Sequence, residues 1–195
     1  MSNMGQICPD VSVPFSNDYF LKLTAGEISN KIGMNRKTVS RQLNRLVGRG
    51  LLMCTTEGRN KKYYLDLTKQ RTRLLLQMAE SEKALSFSLE HKDVFVALME
   101  LVEMNELVLF GSYAKGTATS ESDVDVLVLG KPSETIRGAA RKQIKRINLH
   151  FSTIAEFEEM LKEKNVLALE IVKNHIVFGG SKFFDICWRF YRNEI

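Results

Sequence analysis

Apolar positions along the 195-residue chain recur with two periods, and the switches between them divide it into elements. Thr24-Ala25-Gly26-Glu27 has the form of a capping box, and Ile28 and Ile32 behind it share one helical face. Gly33-Met34-Asn35 makes a turn, and Asn35 can cap a helix over Arg36–Val47 whose Val39, Leu43, Leu46 and Val47 form one stripe. Gly48-Arg49-Gly50 stops it. Leu51–Thr56 reads as a strand, Glu57–Asn60 as a turn and Lys61–Leu67 as the returning strand. Thr68–Met104 is helical, as one or two helices, with stripes at Leu74, Leu75 and Met78, then Val94, Leu98, Leu101 and Val102.

The pattern then shortens. Leu107–Phe110 is an unbroken apolar run of strand length, and Val124–Leu129 is apolar apart from Asp125, the signature of buried strands. Ser133 opens a helix to about Arg146, and Ile147–Phe151 alternates, with Ile147, Leu149 and Phe151 to one side and Asn148 and His150 to the other. Ser152-Thr153 leads into a helix over Ala155–Leu161, Ile176–Phe178 reads as a short strand, and Ser181–Tyr191 as an amphipathic closing helix burying Phe184, Ile186 and Trp188. An aromatic stripe on that last helix could instead serve a homodimer. Met1–Asn17, with Pro9 and Pro14, shows no period.

Charge sharpens this division. The net +5 is unevenly placed: residues 1–70 carry 11 Lys and Arg against 5 Asp and Glu, and the remainder 17 against 18. A basic N-terminal part beside a near-neutral remainder suggests a nucleic-acid-binding module joined to a catalytic one. No apolar run is long enough to cross a membrane, Met1–Asp10 has no signal-peptide pattern, and Cys8, Cys54 and Cys187 stand in no metal spacing; the expected setting is cytoplasmic with reduced thiols. His91, His150 and His175 make no ligand cluster. On the helix after Ser133, Arg137, Arg141 and Lys145 recur one turn apart beside Lys142 and Arg146; they form either a solvated face or a docking face for RNA or an acidic partner.

The candidate chemistry lies between the first two buried strands. Asp123 and Asp125, two apart on a strand, leave the same face, where two carboxylates are costly unless a cation sits between them. Hard divalent ions such as Mg²⁺ take oxygen ligands and pair carboxylates with substrate phosphates. Gly111 permits close approach of a phosphate to the backbone, and Ser112 opens a turn whose N–H groups and hydroxyl can hold it.

Gly111-Ser112, ten residues, then Asp123-x-Asp125 resembles the signature of the nucleotidyltransferases of the DNA polymerase β superfamily, in its minimal archaeal and bacterial form, over roughly Leu107–Gly180. The resemblance implies transfer of a nucleoside monophosphate from an NTP, expected to be ATP, to an acceptor hydroxyl. Asp123 and Asp125 would hold Mg²⁺ or Mn²⁺, Gly111 and Ser112 the β- and γ-phosphates, and Lys115 would add charge there. It also implies a third acid on the third strand, which helps hold metal and accepts the hydroxyl proton. Asn148 stands at that position, with His150 two residues on as the nearest replacement base; an amide cannot act as one.

Tyr19–Leu67, with its NRKTVSRQLNRLVGRGLL run, resembles a winged helix-turn-helix, although the usual first helix of that fold is not legible before Thr24. The resemblance implies double-stranded DNA as a partner, with Arg36, Lys37, Ser40, Arg41 and Asn44 in the major groove or on phosphates and Arg59, Lys61 and Lys62 on backbone. The expected architecture is α+β: a winged helix-turn-helix over 1–70, a helical linker over 71–90, and a small nucleotidyltransferase domain with a short mixed sheet over 91–195. Three functions fit. The first is a working transferase modifying a protein, such as a toxin partner, or a nucleic acid. The second is a nucleotide-sensing DNA-binding regulator. The third is an antitoxin-like repressor with a weakened or inactive site.

Overall fold

The computed structural model describes residues 11–143 and 146–194. Cys8, Pro9 and Lys145 lie outside them. The chain divides into two compact units, Met1–Glu82 and Lys83–Ile195, and α3 (Gln70–Glu90) runs through that boundary.

In the first unit a 3-10 turn, Val13–Phe15, precedes β1 (Leu23–Thr24), α1 (Ala25–Ile32), α2 (Arg36–Gly48), β2 (Met53–Glu57) and β3 (Asn60–Tyr64). The capping box at the start of α1 is present in full: the Glu27 backbone N–H donates to Thr24 Oγ1, and the Thr24 backbone N–H donates to Glu27 Oε2 at 2.7 Å. Gly33 adopts a left-handed φ of 66°, and Asn35 Oδ1 accepts the Lys37 N–H at 2.9 Å, starting α2. Val39, Leu43 and Leu46 are buried with Ile28. The strands form a three-stranded antiparallel sheet in the order β1-β3-β2. β1 was not foreseen, because its two residues exist as a strand only through pairing with Tyr63 and Lys62.

The second unit holds the C-terminal part of α3, then α4 (Lys92–Val102), β4 (Leu107–Phe110), α5 (Gly111–Lys115), β5 (Val124–Leu129), α6 (Glu134–Arg141), β6 (Ile147–Ser152), α7 (Ile154–Lys162), α8 (Val166–Lys173), β7 (Ile176–Phe178) and α9 (Lys182–Tyr191). The sheet order is β6-β5-β4-β7, with β5–β6 parallel and the other pairs antiparallel, so the sheet is mixed as expected. Leu107, Leu109, Val124, Val126, Val128, Ile176 and Phe178 point to one face and pack on Phe87, Val94, Leu98, Leu101, Ile136 and Ala140. The opposite face carries Phe110, Asp125, Asn148 and His150 by strand alternation. Among the described residues no helix is long and apolar enough to cross a membrane.

Several expectations shift. Leu75 is buried, but Leu74 and Met78 are exposed, so the α3 stripe is narrower than its leucines suggest. α6 ends at Arg141 rather than near Arg146, and α8 was not anticipated. Phe183, Phe184, Ile186, Trp188 and Tyr191 are all buried, so the aromatic stripe of α9 is used in its own unit's core.

One buried acid organises that last helix. Glu106, immediately before β4, accepts the Phe183 N–H at 2.7 Å and the Lys182 N–H at 3.0 Å, satisfying two free donors at the α9 N-terminus. Gly180 is what lets it approach, since a Cβ there would overlap Glu106 Oε2. Glu106→Ala is expected to destabilise the chain by about 1–3 kcal/mol, chiefly through the buried Phe183 N–H left without an acceptor, with the part-buried Lys182 N–H adding less. Gly180→Ala should also destabilise it, and denaturant unfolding measures both.

A second prediction concerns acid. Glu27, and Glu156 in the matching box at the start of α7, titrate below the ordinary glutamate range, chiefly because the backbone N–H of Thr24 or Thr153 donates to each. A carboxyl lowered by folding contributes fully above its unfolded pKa and loses that contribution as pH falls through the folded value. Melting temperature should therefore drop between about pH 5 and pH 3, and a Glu27→Gln/Glu156→Gln variant should show a shallower drop.

Candidate active site

The site is assembled where two buried strands end side by side. β4 is buried along its whole length and delivers Phe110 opposite Asp125 of β5. The chain then turns at Gly111 with φ +69°, a conformation costly for any residue with a Cβ. Glycine is required there twice over: a Cβ at 111 would lie 2.5 Å from Asp125 Oδ2. α5 is a single turn ended by Gly116 at φ +70°, and the Ser112 carbonyl accepts the Thr117 N–H at 2.9 Å. The Thr119 N–H donates to Ser122 Oγ at 2.9 Å in the turn leading to Asp123.

Asp123 and Asp125 are half-buried, and Asn148 of β6 is aligned with Asp125 in the parallel ladder. The Asn148 amide nitrogen donates to Asp125 Oδ1 at 3.1 Å and to Asp123 Oδ2 at 3.3 Å, so oxygens of both carboxylates converge on one point. Arg146 lies 3.6 Å from Asp123 Oδ2 with its side chain largely in solvent. Sequence reasoning had placed Arg146 only on a basic helix; its position just before the third strand was the available signal. His150 is exposed, two residues along the same strand face, with its ring edge-on to Phe110 at 5.3 Å between centroids. Lys115 is directed elsewhere: its Nζ pairs with Glu170 of α8 at 2.6 Å. Gly111, Asp123, Asp125 and Asn148 are thus together, His150 stands beside them, and Lys115 is held by another acid.

The donor set suits a hard divalent cation of a particular kind. Among the described residues no three His, Cys, Asp or Glu side chains cluster to hold a metal. Two convergent carboxylates are instead what such an ion uses when substrate phosphates supply its remaining ligands. Turned by 180°, the Asn148 amide presents an oxygen in place of its nitrogen.

In the first unit, Arg36, Lys37, Arg41 and Asn44 are exposed on α2 and Ser40 is half-buried. Asn44 Oδ1 accepts from Lys61 Nζ at 2.6 Å and from the Tyr63 hydroxyl at 3.1 Å, linking α2 to β3. Lys62 pairs with Glu57 across the hairpin at 2.8 Å, and Arg59 is exposed at its tip.

Residues 92–181 match the family model described as the nucleotidyltransferase domain, and residues 22–53 match that of the bacterial regulatory proteins of the arsR family. Two proteins of Methanocaldococcus jannaschii provisionally named as protein adenylyltransferases are similar over part of the chain. One is 32% identical over 62 residues, covering 31% of this chain and 62% of its own length. The other is 44% identical over 46 residues, covering 24% of this chain and 44% of its own length. The chain therefore spans less than two thirds of either relative. No solved structure matches it significantly. The chain carries an ArsR-type helix-turn-helix followed by a nucleotidyltransferase domain.

Gly111→Ala is expected to cost about 2–4 kcal/mol, combining a positive φ with the approach to Asp125. In combination with Asp125→Ala the cost should be clearly less than the sum, because the contact is gone; a double-mutant cycle in denaturant measures the difference.

Proposed function

We propose that the second unit transfers a nucleoside monophosphate from an NTP, with ATP as the donor, to a hydroxyl of a protein acceptor. The observation that carries this is the convergence of Asp123, Asp125 and Asn148 beside Gly111, inside the span matched by the nucleotidyltransferase model. The name shared by the two archaeal relatives supports adenylyl transfer to protein. In the reaction the acceptor oxygen bonds to the α-phosphorus, the bond from that phosphorus to the oxygen bridging the β-phosphate breaks, and pyrophosphate leaves. Asp123 and Asp125 would hold Mg²⁺ or Mn²⁺, which when bound neutralises phosphate charge and polarises the phosphoryl group. Gly111 lets the Asp125 carboxylate lie against its backbone and turns the chain so that Ser112 would supply an N–H and a hydroxyl to phosphate. The hydroxyl proton passes to His150 or to solvent, since the Asn148 amide has no basic site.

A second reading rests on Asn148 itself, whose amide donates to both acids where a third carboxylate would complete the set. On it the site binds nucleotide with weak turnover or none, and the chain acts as a nucleotide-sensing or antitoxin-like repressor. In either reading the helix-turn-helix binds duplex DNA through Arg36, Lys37, Ser40 and Arg41 of α2 and Arg59 of the hairpin. Asn44 and Lys61, bonded to each other, set the hairpin against α2.

By calorimetry, ATP should bind more tightly with Mg²⁺ than with EDTA, and Asp123→Ala or Asp125→Ala should abolish the difference. In the working-enzyme case Asn148→Asp raises transfer of label from ATP to macromolecules in lysate. There, loss of a general base in His150→Ala should lower the rate by about 10²-fold or more while sparing ATP affinity. No transfer by either wild type or Asn148→Asp, with ATP still bound, selects the repressor. DNA retardation should weaken steeply with salt and in Arg41→Ala, and be indifferent to Asp125→Ala.

A further inference from the structure

Beside the acid pair an open groove of about 800 Å³ runs between α6 and β6. Its lining includes Ile147, Asn148, Leu149 and His150 in unbroken succession. Successive strand residues point to opposite faces, so four in a row border one concavity only along the strand's edge. β6 is the end strand of its sheet among the described residues. The carbonyls of Arg146 and Ser152 accept N–H groups of Val124 and Gly130 on the β5 side. By alternation the N–H and C=O of Leu149 point away from β5, into the groove. Sheet edges are commonly blunted by lysine, proline or inward charges, and Ile147–Ser152 contains no lysine, proline or acid.

Three arginines surround this edge, and no acid lines the groove among the described residues. Arg146 leans to Asp123, and Arg137 is braced by Glu134 at 2.7 Å and over the Phe151 ring at 5.2 Å. Arg141 is exposed on the outer side of the groove. An edge of alternating donors and acceptors is matched by another polypeptide backbone, and positive flanks select its charge. A nucleic acid would instead call for aromatic rings free to stack on bases, and the groove's aromatic ring, His150, is set against Phe110.

We propose that this groove is the acceptor site: an extended acidic segment of the partner protein adds as a strand along β6, beside the acid pair. This rests on the transferase reading for its chemistry, but the docking can be tested by binding alone. The full-length chain is titrated into a short fluorescein-labelled oligoglutamate, with labelled oligolysine and oligouridylate as comparisons, and MgATP binding is measured on the same samples. Oligoglutamate should bind best, and Arg141→Glu should weaken it by about tenfold or more through the lost pairing and added repulsion. Leu149→Pro, which removes an outward N–H without touching the β5 ladder, should weaken it similarly where the variant keeps the wild-type circular dichroism. MgATP affinity should stay unchanged in both. Arg141→Glu is a surface change, so it decides the matter even where Leu149→Pro does not fold. Oligoglutamate binding indifferent to Arg141→Glu, no oligoglutamate binding, or preference for oligouridylate would overturn the proposal. So would a homodimer that Arg141→Glu dissociates. Loss of the Mg²⁺ effect on ATP with peptide binding intact would overturn the transferase reading and leave the docking site standing.

Discussion

Two carboxylates on one strand face set the constraint that the second unit is built to meet. Like charges placed that close repel, and partial burial screens the repulsion less than open water would. Neither can move away, because Val124, Val126 and Val128 between and beyond them are fully buried and fix the strand. The chain meets the repulsion from three sides. Asn148 places its amide hydrogens between the carboxylates, Arg146 stands off Asp123, and Gly111 removes the side chain that would crowd Asp125. Each is a partial remedy. An amide carries only a dipole and a guanidinium in solvent is screened, so the pair keeps most of its negative charge, as the proposed metal-binding role requires.

The parts of this arrangement legible in the sequence are those fixed by local rules. Gly111-Ser112 and Asp123-x-Asp125 could be read because a left-handed turn selects glycine and strand alternation puts the acids together. β7 was recovered at its observed bounds because three apolar residues stood between His175 and a glycine pair. What escaped depended on partners far along the chain. Glu106 reads as an ordinary acid before a strand, yet its carboxylate accepts the N–H groups of Lys182 and Phe183, more than seventy residues on. Lys115 sits one turn from Ser112 and would be placed on phosphate by proximity, but Glu170 draws it to α8. α8 itself is apolar around much of its circumference and so lacks the helical stripe; its signal was Asn165, whose side chain accepts the N–H groups of Leu167 and Ala168.

The helix-turn-helix shows the same division between periodicity and pairing. The buried face of α2 follows from its spacing, since Val39, Leu43 and Leu46 are buried as the stripe requires. The outward face is less uniform than its polar composition implies. Asn44 spends its carbonyl oxygen on Lys61 and Tyr63, and Lys62 is neutralised by Glu57. The positive charge left over lies on Arg36, Lys37 and Arg41 along the helix and on Arg59 at the hairpin tip. A polar helix face is thus two things at once: contacts that hold the hairpin in place, and charge remaining for a partner.

β6 joins these arguments, because its residues work in two perpendicular directions. By face, Asn148 and His150 look toward the acids while Ile147, Leu149 and Phe151 pack toward the core side. By edge, the even-numbered residues from 146 to 152 have their carbonyls turned to β5 and the odd-numbered ones have their amides turned outward. The amide that quiets Asp123 and Asp125 therefore belongs to a residue bonded inward, and the next residue, Leu149, offers its backbone to the groove. A strand laid along that edge would lie about 4.8 Å from β6, close enough to hold a side chain over Asn148 without disturbing the ladder that positions the acids. The strand that tempers the acid pair is thus also the one that, on the proposed docking, would present an acceptor to it.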